Sequence, residues 1–378
     1  MKVNVLAISY GRNLFKEGDP ERTRMIACAE ETAHYHMIVF TREADGFETT
    51  EVTSGLTIHP TNSRSKLGMI IDAIRIGCRL IRAAQDKSWV VTAQDPFEAG
   101  LVGYLIARLK RVPLNIQEHG DFYSLPHWRG ESTLNRARAW LGTKLLRRAN
   151  SIRTVSKRIT ATLLGQGVKP ERISELSVFT HVDRFTPKTE RVFDPGTITV
   201  LSVARFVPQK NLPLLLEAFF AARREISNLK LRLVGAGPLT ASVEAMLERN
   251  EYGSDVTIEA WSSDVPGLMA TADIYALSSN YEGWARVLIE AMAAGLPIVT
   301  TDVGCVGEVC LKDEHALVTS VADRDAFARA LISLAEDAKL RKQFSLAGQE
   351  AAKTQRKTSE LYAQEWATIL EQTLPGKV

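Results

Sequence analysis

The sequence lacks the features that mark a secreted or membrane-spanning protein. No apolar stretch approaches the roughly 18 uninterrupted residues that a membrane-spanning helix needs. The N-terminus, MKVNVLAISYGRN, has neither the apolar core nor the small-residue cleavage site of a signal peptide. The four cysteines form no CxxC pair and no disulfide-dense pattern, which is typical of a reducing compartment: Cys28, Cys78, Cys305 and Cys310. We therefore predict a cytoplasmic protein whose contact with any membrane is peripheral.

What is present is an ordinary globular composition with an uneven distribution of charge. A chain of 378 residues is longer than a domain with a single hydrophobic core usually is, so we expect two domains. Residues 1–190 hold 28 Lys and Arg against 20 Asp and Glu, whereas the remainder holds 19 against 24. A basic first half favours an anionic partner, such as a phosphorylated ligand, an acidic membrane surface or nucleic acid. A solvated surface without any such partner would explain the same charge.

Short β-branched apolar runs alternate with longer helical patterns along the chain. The runs include VNVLAI, HMIVF and WVVTA in the first half and ITVLSV, LRLVG and PIVTT in the second. This alternation predicts two α/β domains, each a doubly wound parallel sheet covered by helices. The polar segment FTPKTERVFDPGTI is the predicted linker. We expect one domain over residues 1–187, a second over 188–355, and a terminal helix over 356–378 that packs on the first domain.

Charged residues and glycines follow several of the predicted strands, where open parallel sheets bind their ligands. Arg205 comes after the strand ITVLSV, and Lys210 precedes a helix expected to begin near Asn211. A helix start with two cations can bind a phosphate or diphosphate, with exposed loop cations as the alternative. Gly235 and Gly237 lie between a strand and a helix, but GxG without a third glycine is also a common tight turn.

The stretch ADIYALSSNYEGWARVLIEAMAAG predicts a strand, a turn and a helix. Glu282 precedes this helix and Glu290 lies two turns inside it, so the two carboxylates are expected to have different hydrogen-bonding roles. The exposed amides at the helix start form an anion-binding site and belong to Gly283, Trp284, Ala285 and Arg286. A cation in the first turn, Arg286, is costly unless an anion or a carboxylate lies close by. An ordinary helix whose N-terminus is favoured by Glu282 is the alternative.

In combination, VARFVPQKN, LVGAG and EGWARVLIEAMAAGLPIVTTDVGCVGEV resemble the retaining glycosyltransferases of family four, which have the GT-B fold. The signature of that family is two glutamates separated by seven residues, and Glu282 and Glu290 fit it. The resemblance implies that Arg205 and Lys210 bind the donor diphosphate and stabilise the leaving group. It also implies that Glu290 bonds the nucleotide ribose, that Glu282 faces the donor sugar, and that the amides after Gly283 lie near the diphosphate.

The resemblance is weaker in the first half, where it concerns three sites. His119, in NIQEHGDFY, matches a histidine at the sugar end of the cleft between two GT-B domains; an ordinary core or loop histidine is the alternative. The paired glycines of the family's first loop are replaced here by Gly11 followed by Arg12, so contacts to the glycosyl acceptor or phosphate are expected to differ. Thr180 and His181 stand where the family has Asn-Gly in a Pro-Asn-Gly-Val-Asp turn.

No pattern in the sequence favours a metal site. Asp323 and Asp325 form an Asp-x-Asp pair at the start of a predicted helix, where capping explains them better than metal ligation. No cluster of His and Cys has the spacing of metal ligands. We expect transfer without a metal ion or a cofactor, with Arg205, Lys210 and the helix amides in place of a cation.

The segment STLNRARAWLGTKLLRRAN predicts a basic amphipathic helix. It combines Leu134, Trp140, Leu141 and Leu145 with Arg136, Arg138, Lys144, Arg147 and Arg148. Such a helix can lie on an anionic membrane, or it can pack its apolar side on the core and leave its cations solvated.

These observations favour a two-domain GT-B enzyme that transfers a hexosyl unit with retention. The expected donor is a UDP- or GDP-sugar bound by the C-terminal half. The expected acceptor is a glycan or a lipid-linked glycan of cell-envelope or polysaccharide synthesis, bound by the basic half, and nucleic acid is not an expected partner. A non-transferase GT-B enzyme, such as a nucleotide-sugar epimerase or a phosphorylase, and a catalytically silent binding protein remain alternatives.

Overall fold

The computed structural model describes residues 2–83, 88–124, 126–187 and 196–376. The chain divides into two compact units, the first built from residues 1–177 with 357–378 and the second from residues 178–356. The division follows Ser177, which is earlier than the predicted boundary at residue 187. Most of the predicted linker, residues 188–195, lies outside the described residues.

The first unit contains an eight-stranded sheet in the order β3-β4-β2-β1-β5-β6-β7-β8. All neighbouring strands are parallel except β3, which runs antiparallel to β4. The strands are β1 (Asn4–Ser9), β2 (His34–Val39), β3 (Thr50–Thr53), β4 (Leu56–Pro60), β5 (Trp89–Ala93), β6 (Leu114–Glu118), β7 (Ser151–Thr154) and β8 (Ile173–Glu175).

Helices of the first unit connect these strands, and one returns from the end of the chain. They are α1 (Pro20–Glu30), α2 (Lys66–Ala83), α3 (Glu98–Lys110), α4 (Pro126–Gly130), α5 (Thr133–Leu146), α6 (Lys157–Gly165) and the returning α13 (Ser359–Gln372). α13 packs against α1 and buries Tyr362, Trp366 and Leu370. Ser151 and Thr373 share a hydrogen bond of 2.6 Å, which joins the start of β7 to the end of α13.

The second unit contains a six-stranded, fully parallel sheet in the order β11-β10-β9-β12-β13-β14. Its strands are β9 (Ile198–Val203), β10 (Leu229–Val234), β11 (Val256–Glu259), β12 (Ile274–Leu277), β13 (Ile298–Thr301) and β14 (Ala316–Thr319). Its helices are α7 (Leu212–Glu225), α8 (Thr240–Glu248), α9 (Val265–Ala270), α10 (Arg286–Ala293), α11 (Arg324–Glu336) and α12 (Ala338–Lys353).

The core of the second unit shows why these segments fold as they do. The sequence LPLLLEAFFAARRE places apolar side chains at helical spacing, so α7 buries Leu215 and Phe219 on one face. That face packs on α11 and on β9 and β10, whose Val200 and Leu231 are fully buried. Each such side chain contributes about 2 kcal/mol when it leaves water.

The predicted alternation of strands and helices is confirmed, but β3, β4, β8 and β14 were not among the predicted strands. β3 and β4 form a bulged antiparallel pair, whereas the sequence predicted parallel pairing throughout. β3 and β8, with the sequences TEVT and ISE, contain one apolar residue each, so neither forms the apolar run that marks a strand. None of the helices in the described ranges is long and apolar enough to cross a membrane.

Candidate functional site

Two loops of the second unit that follow neighbouring strands, β9 and β12, are joined by hydrogen bonds. The first loop runs from Ala204 to Asn211 and the second from Ser278 to Ala285. Asn280 donates its backbone N–H to the carbonyl of Gln209 at 2.8 Å and its side-chain amide to the carbonyl of Pro208 at 3.1 Å. Because β9 and β12 are parallel neighbours, their carboxyl ends bring the two loops to one edge of the sheet.

Lys210 and Glu282 form an ion pair between these loops. The Lys210 Nζ lies 2.5 Å from Glu282 Oε1, and the two side chains are only 17% and 11% exposed. Ser279 donates its hydroxyl to the same carboxylate oxygen at 2.7 Å, and Gln209 donates its amide to Oε2 at 3.3 Å. Lys210, which is predicted to bind the diphosphate, and Glu282, which is predicted to face the donor sugar, are therefore each other's nearest charge.

Helix α10 begins at Arg286, two residues later than predicted. Ala285 precedes it in the left-handed conformation, with φ of 56°, and no side chain caps the helix start. A residue with a Cβ pays about 1–2 kcal/mol in this conformation, and such strain clusters at functional sites. In the described part of the chain, no protein group accepts a hydrogen bond from the amides of residues 283–287, as an anion site at a helix start requires.

A third loop, which follows β13, holds the start of α10 in place. Cys305 donates its backbone N–H to the carbonyl of Trp284 at 2.9 Å. A Cβ on Gly304 would lie 2.6 Å from the Cβ of Ala285 and 2.8 Å from the backbone of Trp284, and its φ is 61°. Only glycine fits at this position. The buried Trp284 keeps its indole N–H without a hydrogen-bond partner among the described residues.

Glu290 faces Arg286 one turn earlier in α10. The Arg286 Nε lies 3.0 Å from Glu290 Oε1, and the carboxylate side chain is 12% exposed. Desolvation raises the pKa of Glu290, and the positive charges of Arg286 and Arg184 oppose that shift. The cation in the first turn therefore has the nearby carboxylate that the helix dipole calls for. Arg184 was not predicted as a neighbour of this site.

Arg205 and the two glycines lie on adjoining loops of the same sheet edge. Arg205 is exposed, and within the described ranges its side chain has neither a hydrogen bond nor an ion pair. A Cβ on Gly235 would lie 1.9 Å from the carbonyl oxygen of Ala204, and one on Gly237 would lie 2.4 Å from that of Phe206. These glycines thus let the loop that carries Arg205 pack against the end of β10.

His119 follows β6 in the first unit, as predicted. It is exposed, and its Nε2 lies 2.9 Å from the side-chain oxygen of Gln117. Desolvation lowers the pKa of His119, and the positive charges of Arg153 and Arg24 lower it further. Because the residue keeps an accessible face, solvent screens part of this shift.

Gly11 and Arg12 lie directly after β1. A Cβ on Gly11 would lie 2.7 Å from a carboxylate oxygen of Glu21, which is the flexible end of that side chain. Arg12 pairs with Asp45 at 3.2 Å, so an incoming phosphate would compete with this carboxylate.

The Asp-x-Asp pair has structural roles. Asp323 caps α11 by accepting the N–H of Ala326 at 2.9 Å, and Asp325 pairs with Arg324 at 2.5 Å. No group of three or more His, Cys, Asp and Glu side chains in the described ranges could hold a metal ion.

Comparison with known proteins assigns both halves of the chain. Residues 183–351 match the family described as "Glycosyl transferases group 1", and residues 20–178 match the family described as "Glycosyl transferase 4-like domain". The chain is 30% identical over 155 residues to the N-acetylgalactosamine-N,N'-diacetylbacillosaminyl-diphospho-undecaprenol 4-alpha-N-acetylgalactosaminyltransferase of Campylobacter jejuni, covering 41% of this chain and 42% of that protein. It is 27% identical over 223 residues to the putative glycosyltransferase EpsF of Bacillus subtilis, covering 56% and 57%. The chain thus spans about half the length of the curated relatives that it matches.

Solved structures with the same fold cover nearly the whole chain. HepE of Anabaena in complex with UDP and glucose superposes with a TM-score of 0.72 at 16% identity, over 97% of this chain and 99% of that one. WaaG, a glycosyltransferase involved in lipopolysaccharide biosynthesis, gives a TM-score of 0.70 at 16% identity, over 99% and 100%. The predicted fold class is confirmed.

Proposed function

The chain belongs to the glycosyl transferases of group 1, and we propose that it transfers a hexosyl unit from a nucleotide-diphosphate sugar to a glycan or lipid-linked acceptor. Its relatives named above are a transferase acting on an undecaprenol-linked glycan and a putative glycosyltransferase. Cell-envelope or polysaccharide synthesis is the corresponding setting. The same relatives give no support to the epimerase, phosphorylase and silent-binder alternatives.

The observation that carries this proposal is the pairing of Lys210 with Glu282 beside the open amides of α10. It brings a cation, a carboxylate and an anion-binding helix start to one edge of the second unit. A diphosphate placed at the amides would draw the ammonium of Lys210 into contact with a second anion. The charge that develops on the departing phosphate would then be met by groups that are already in position.

Each charged group has a role in this proposal. Arg205, which has no protein partner in the described ranges, supplies a guanidinium for the diphosphate. Glu282, held by three donors, presents a carboxylate of fixed orientation towards the donor sugar. Glu290, turned by Arg286, is positioned to accept hydrogen bonds from a ribose. Transfer with retention and without a divalent cation belongs to the proposal, the first because of the family resemblance and the second because the chain itself supplies the positive charge.

Thermal denaturation in the presence of nucleotide sugars tests the donor. UDP-glucose comes first, since the Anabaena structure contains UDP and glucose, and GDP- and ADP-sugars follow. A donor at a hundred times its Kd should stabilise the folded chain by about 2.7 kcal/mol. Absence of a shift with every donor would contradict the proposal.

Product analysis then tests the reaction. Transfer to an undecaprenol-linked or oligosaccharide acceptor should continue at a similar rate in excess chelator, and the product should keep the anomeric configuration of the donor. Incubation with the nucleotide sugar alone should give no epimer, and addition of orthophosphate should give no sugar phosphate. An epimer or a sugar phosphate as the main product would replace the transferase proposal.

The same proposal includes association with the cytoplasmic face of an anionic membrane through α5. Leu134 and Trp140 of this helix are exposed, whereas Leu145 is buried, so only part of the predicted apolar side faces the core. Arg136 lies beside Trp140 at a cavity of about 550 Å³, which Tyr123, Arg129 and Thr143 also line. Exposed aromatic and basic side chains on one surface support binding to acidic lipid.

A further inference from the structure

Arg153 is a charged residue buried in the sheet of the first unit without a carboxylate. It lies on β7 and is 3% exposed. Its Nε donates to the carbonyl of Leu176 at 3.0 Å, and its Nη2 donates to the carbonyl of Ser177 at 3.1 Å and to the hydroxyl of Tyr362 at 2.7 Å. In the described ranges no acidic side chain pairs with it, although a buried charge is costly to maintain. Such a residue calls for an explanation beyond stability.

The remaining donor of Arg153 points to the residue that contacts His119. Arg153 Nη1 donates to the side-chain oxygen of Gln117 at 3.0 Å, and His119 Nε2 lies 2.9 Å from that same oxygen. On the other side of the amide, Gln117 Nε2 lies 3.2 Å from the hydroxyl of Thr92, which itself donates to Asn115. The orientation of the Gln117 amide is therefore set from both ends.

This orientation determines which nitrogen of His119 carries the proton. An arginine cannot accept a hydrogen bond, so the group of Gln117 that faces Arg153 must be its oxygen. An amide oxygen cannot donate, so His119 must donate to it through Nε2–H. In a neutral imidazole, Nδ1 is then bare and can accept a hydrogen bond.

The charges around His119 favour its neutral form. Arg153 on β7 and Arg24 on α1 are the charged groups that act on the ring, and both oppose a second proton. The neighbouring side chain, Glu118, lies on the opposite face of β6, where burial raises the pKa of its carboxyl group, and it is not among the charged groups that act on the ring. His119 is thus held as a hydrogen-bond acceptor rather than as an acid.

We propose that Arg153 is a positioning residue that acts through Gln117 to hold His119 as the Nε2–H tautomer, so that Nδ1, which has no hydrogen-bond partner in the described ranges, accepts a hydrogen bond from a substrate hydroxyl. The ligand class, a sugar, rests on the proposed function, whereas the tautomer rests on the contacts alone. The inference also gives α13 a part in the site, because its Tyr362 and Trp366 enclose the guanidinium, with ring centres 5.8 and 5.5 Å away.

Nitrogen-15 NMR of histidine side chains tests the tautomer in the full chain. The signals of His119, identified among the seven histidines by their loss in His119→Gln, should show a protonated Nε2, a bare Nδ1 and no titration at pH 6–8. Gln117→Leu removes the acceptor, so the signals should shift to a mixture of tautomers. Gln117→Glu places a carboxylate there, so His119 should become protonated over this pH range. An Nδ1–H tautomer in the unmodified chain, or an unchanged tautomer in Gln117→Leu, would overturn the proposal.

Kinetics give a second measurement that a purely structural role would not change. In the unmodified enzyme, the plot of turnover against pH should show no decline that is due to protonation of His119. In Gln117→Glu, turnover should decline as pH falls, because His119 then gains a proton. Gln117→Leu should lose about ten- to a hundredfold in kcat/KM through misplacement of the ring. An acid limb in the unmodified enzyme that disappears in His119→Gln would contradict the proposal.

Arg153→Met and Arg341→Met form a matched pair of variants. Arg341 is a buried arginine of the second unit that bonds the carbonyls of Leu334 and Ala335, so its loss reports general destabilisation. Arg153→Met should disturb the His119 signals and Arg341→Met should not. If Arg153→Met does not fold, the test is the tautomer in Gln117→Leu, which keeps the guanidinium.

The expected tautomer without turnover on any nucleotide sugar would count against the proposed function and leave the role of Arg153 supported. Turnover with the opposite tautomer would overturn the role of Arg153 alone.

Discussion

At the scale of single residues, Lys210 and Glu282 depend on each other. Both side chains are nearly buried, so removing one charge leaves the other without its partner in a region of low dielectric. Lys210→Met should therefore lower the free energy of unfolding by about 3 kcal/mol and abolish most of the turnover. The double variant Lys210→Met/Glu282→Gln should recover most of the stability but none of the turnover. Urea denaturation and a transfer assay measure the two effects.

Arg223→Met is the control for this experiment. It breaks an ion pair of 2.6 Å with Asp255 in the same unit, away from the loops after β9 and β12, and Asp255 keeps Lys230 as a partner. We expect a smaller loss of stability and normal turnover. Turnover close to normal in Lys210→Met would remove this residue from the proposed mechanism.

Ala285 allows a test of backbone strain at the start of α10. Because it occupies the left-handed region, Ala285→Gly should be neutral or stabilise by up to about 1 kcal/mol, while Ala285→Val should destabilise by about 2 kcal/mol. The same exchange inside the helix, Ala291→Gly, should instead cost about 1 kcal/mol. Denaturant unfolding of the three variants is the measurement. A loss of stability in Ala285→Gly equal to that in Ala291→Gly would contradict the assignment of strain.

The sequence predicts the positions of the site residues better than their contacts. Arg205, Lys210, Glu282 and His119 all follow strands, and this placement depends only on strand and helix patterns. The pairing of Lys210 with Glu282 depends on side-chain rotamers and on loop geometry, which no spacing encodes. Gln117 and Arg153 lie inside strands with no signal that separates them from ordinary polar residues.

At the scale of elements, β2 and β4 contain a pH-sensitive contact. His36 Nδ1 lies 3.1 Å from His59 Nε2, and His59 is buried. Desolvation, together with the charges of His36 and Arg79, lowers the pKa of His59 to about 4. In the unfolded chain this pKa is about 6.5, so the unfolded state binds more protons between these two values. The contribution of His59 to the free energy of unfolding should therefore be constant above pH 6.5 and should fall as pH is lowered towards 4.

The variant His59→Gln tests this dependence. It should remove on the order of 2 kcal/mol of the acid-induced loss of stability, measured by urea denaturation at several pH values. Identical slopes for His59→Gln and the unmodified chain would show that the contact does not control stability in acid.

Helix α5 carries the prediction for membrane association. Trp140 is 67% exposed, and Lys144 lies 6.0 Å from the centre of its ring. Trp140→Ser should weaken flotation with vesicles containing acidic lipid, because an exposed indole inserts at the membrane interface. Trp261 of the second unit is 65% exposed, so Trp261→Ser is a matched control that should float normally. Equal flotation on neutral and acidic vesicles would remove the proposal.

Helix α10 shows where prediction of elements from sequence stops. Its end near Gly295 is confirmed, because glycine with positive φ terminates a helix recognisably. Its start was placed two residues early, because an alanine in the left-handed conformation carries no sequence signal. The contacts of Gly304 with Trp284 and Ala285, which impose that conformation, come from a loop about twenty residues away in the chain.

At the scale of the whole molecule, the first unit needs both of its chain segments. α13 buries aromatic side chains against this unit, and the hydroxyl of its Tyr362 accepts a hydrogen bond from Arg153. Removal of residues 357–378 should therefore make the first unit sensitive to protease and leave residues 178–356 as a protected fragment. Limited proteolysis with mass spectrometry measures this. Removal of residues 375–378 is the control, and equal protection after both truncations would contradict the expectation.

The separation of the first unit into two segments also affects biogenesis. During translation, α1 is made early, whereas its partner α13 follows every other described helix. The face of α1 that α13 covers therefore stays exposed while the ribosome makes the entire second unit. That unit is one continuous segment, so all of its core residues have been made before α13. A nascent chain of this kind exposes a binding surface for chaperones until α13 leaves the exit tunnel.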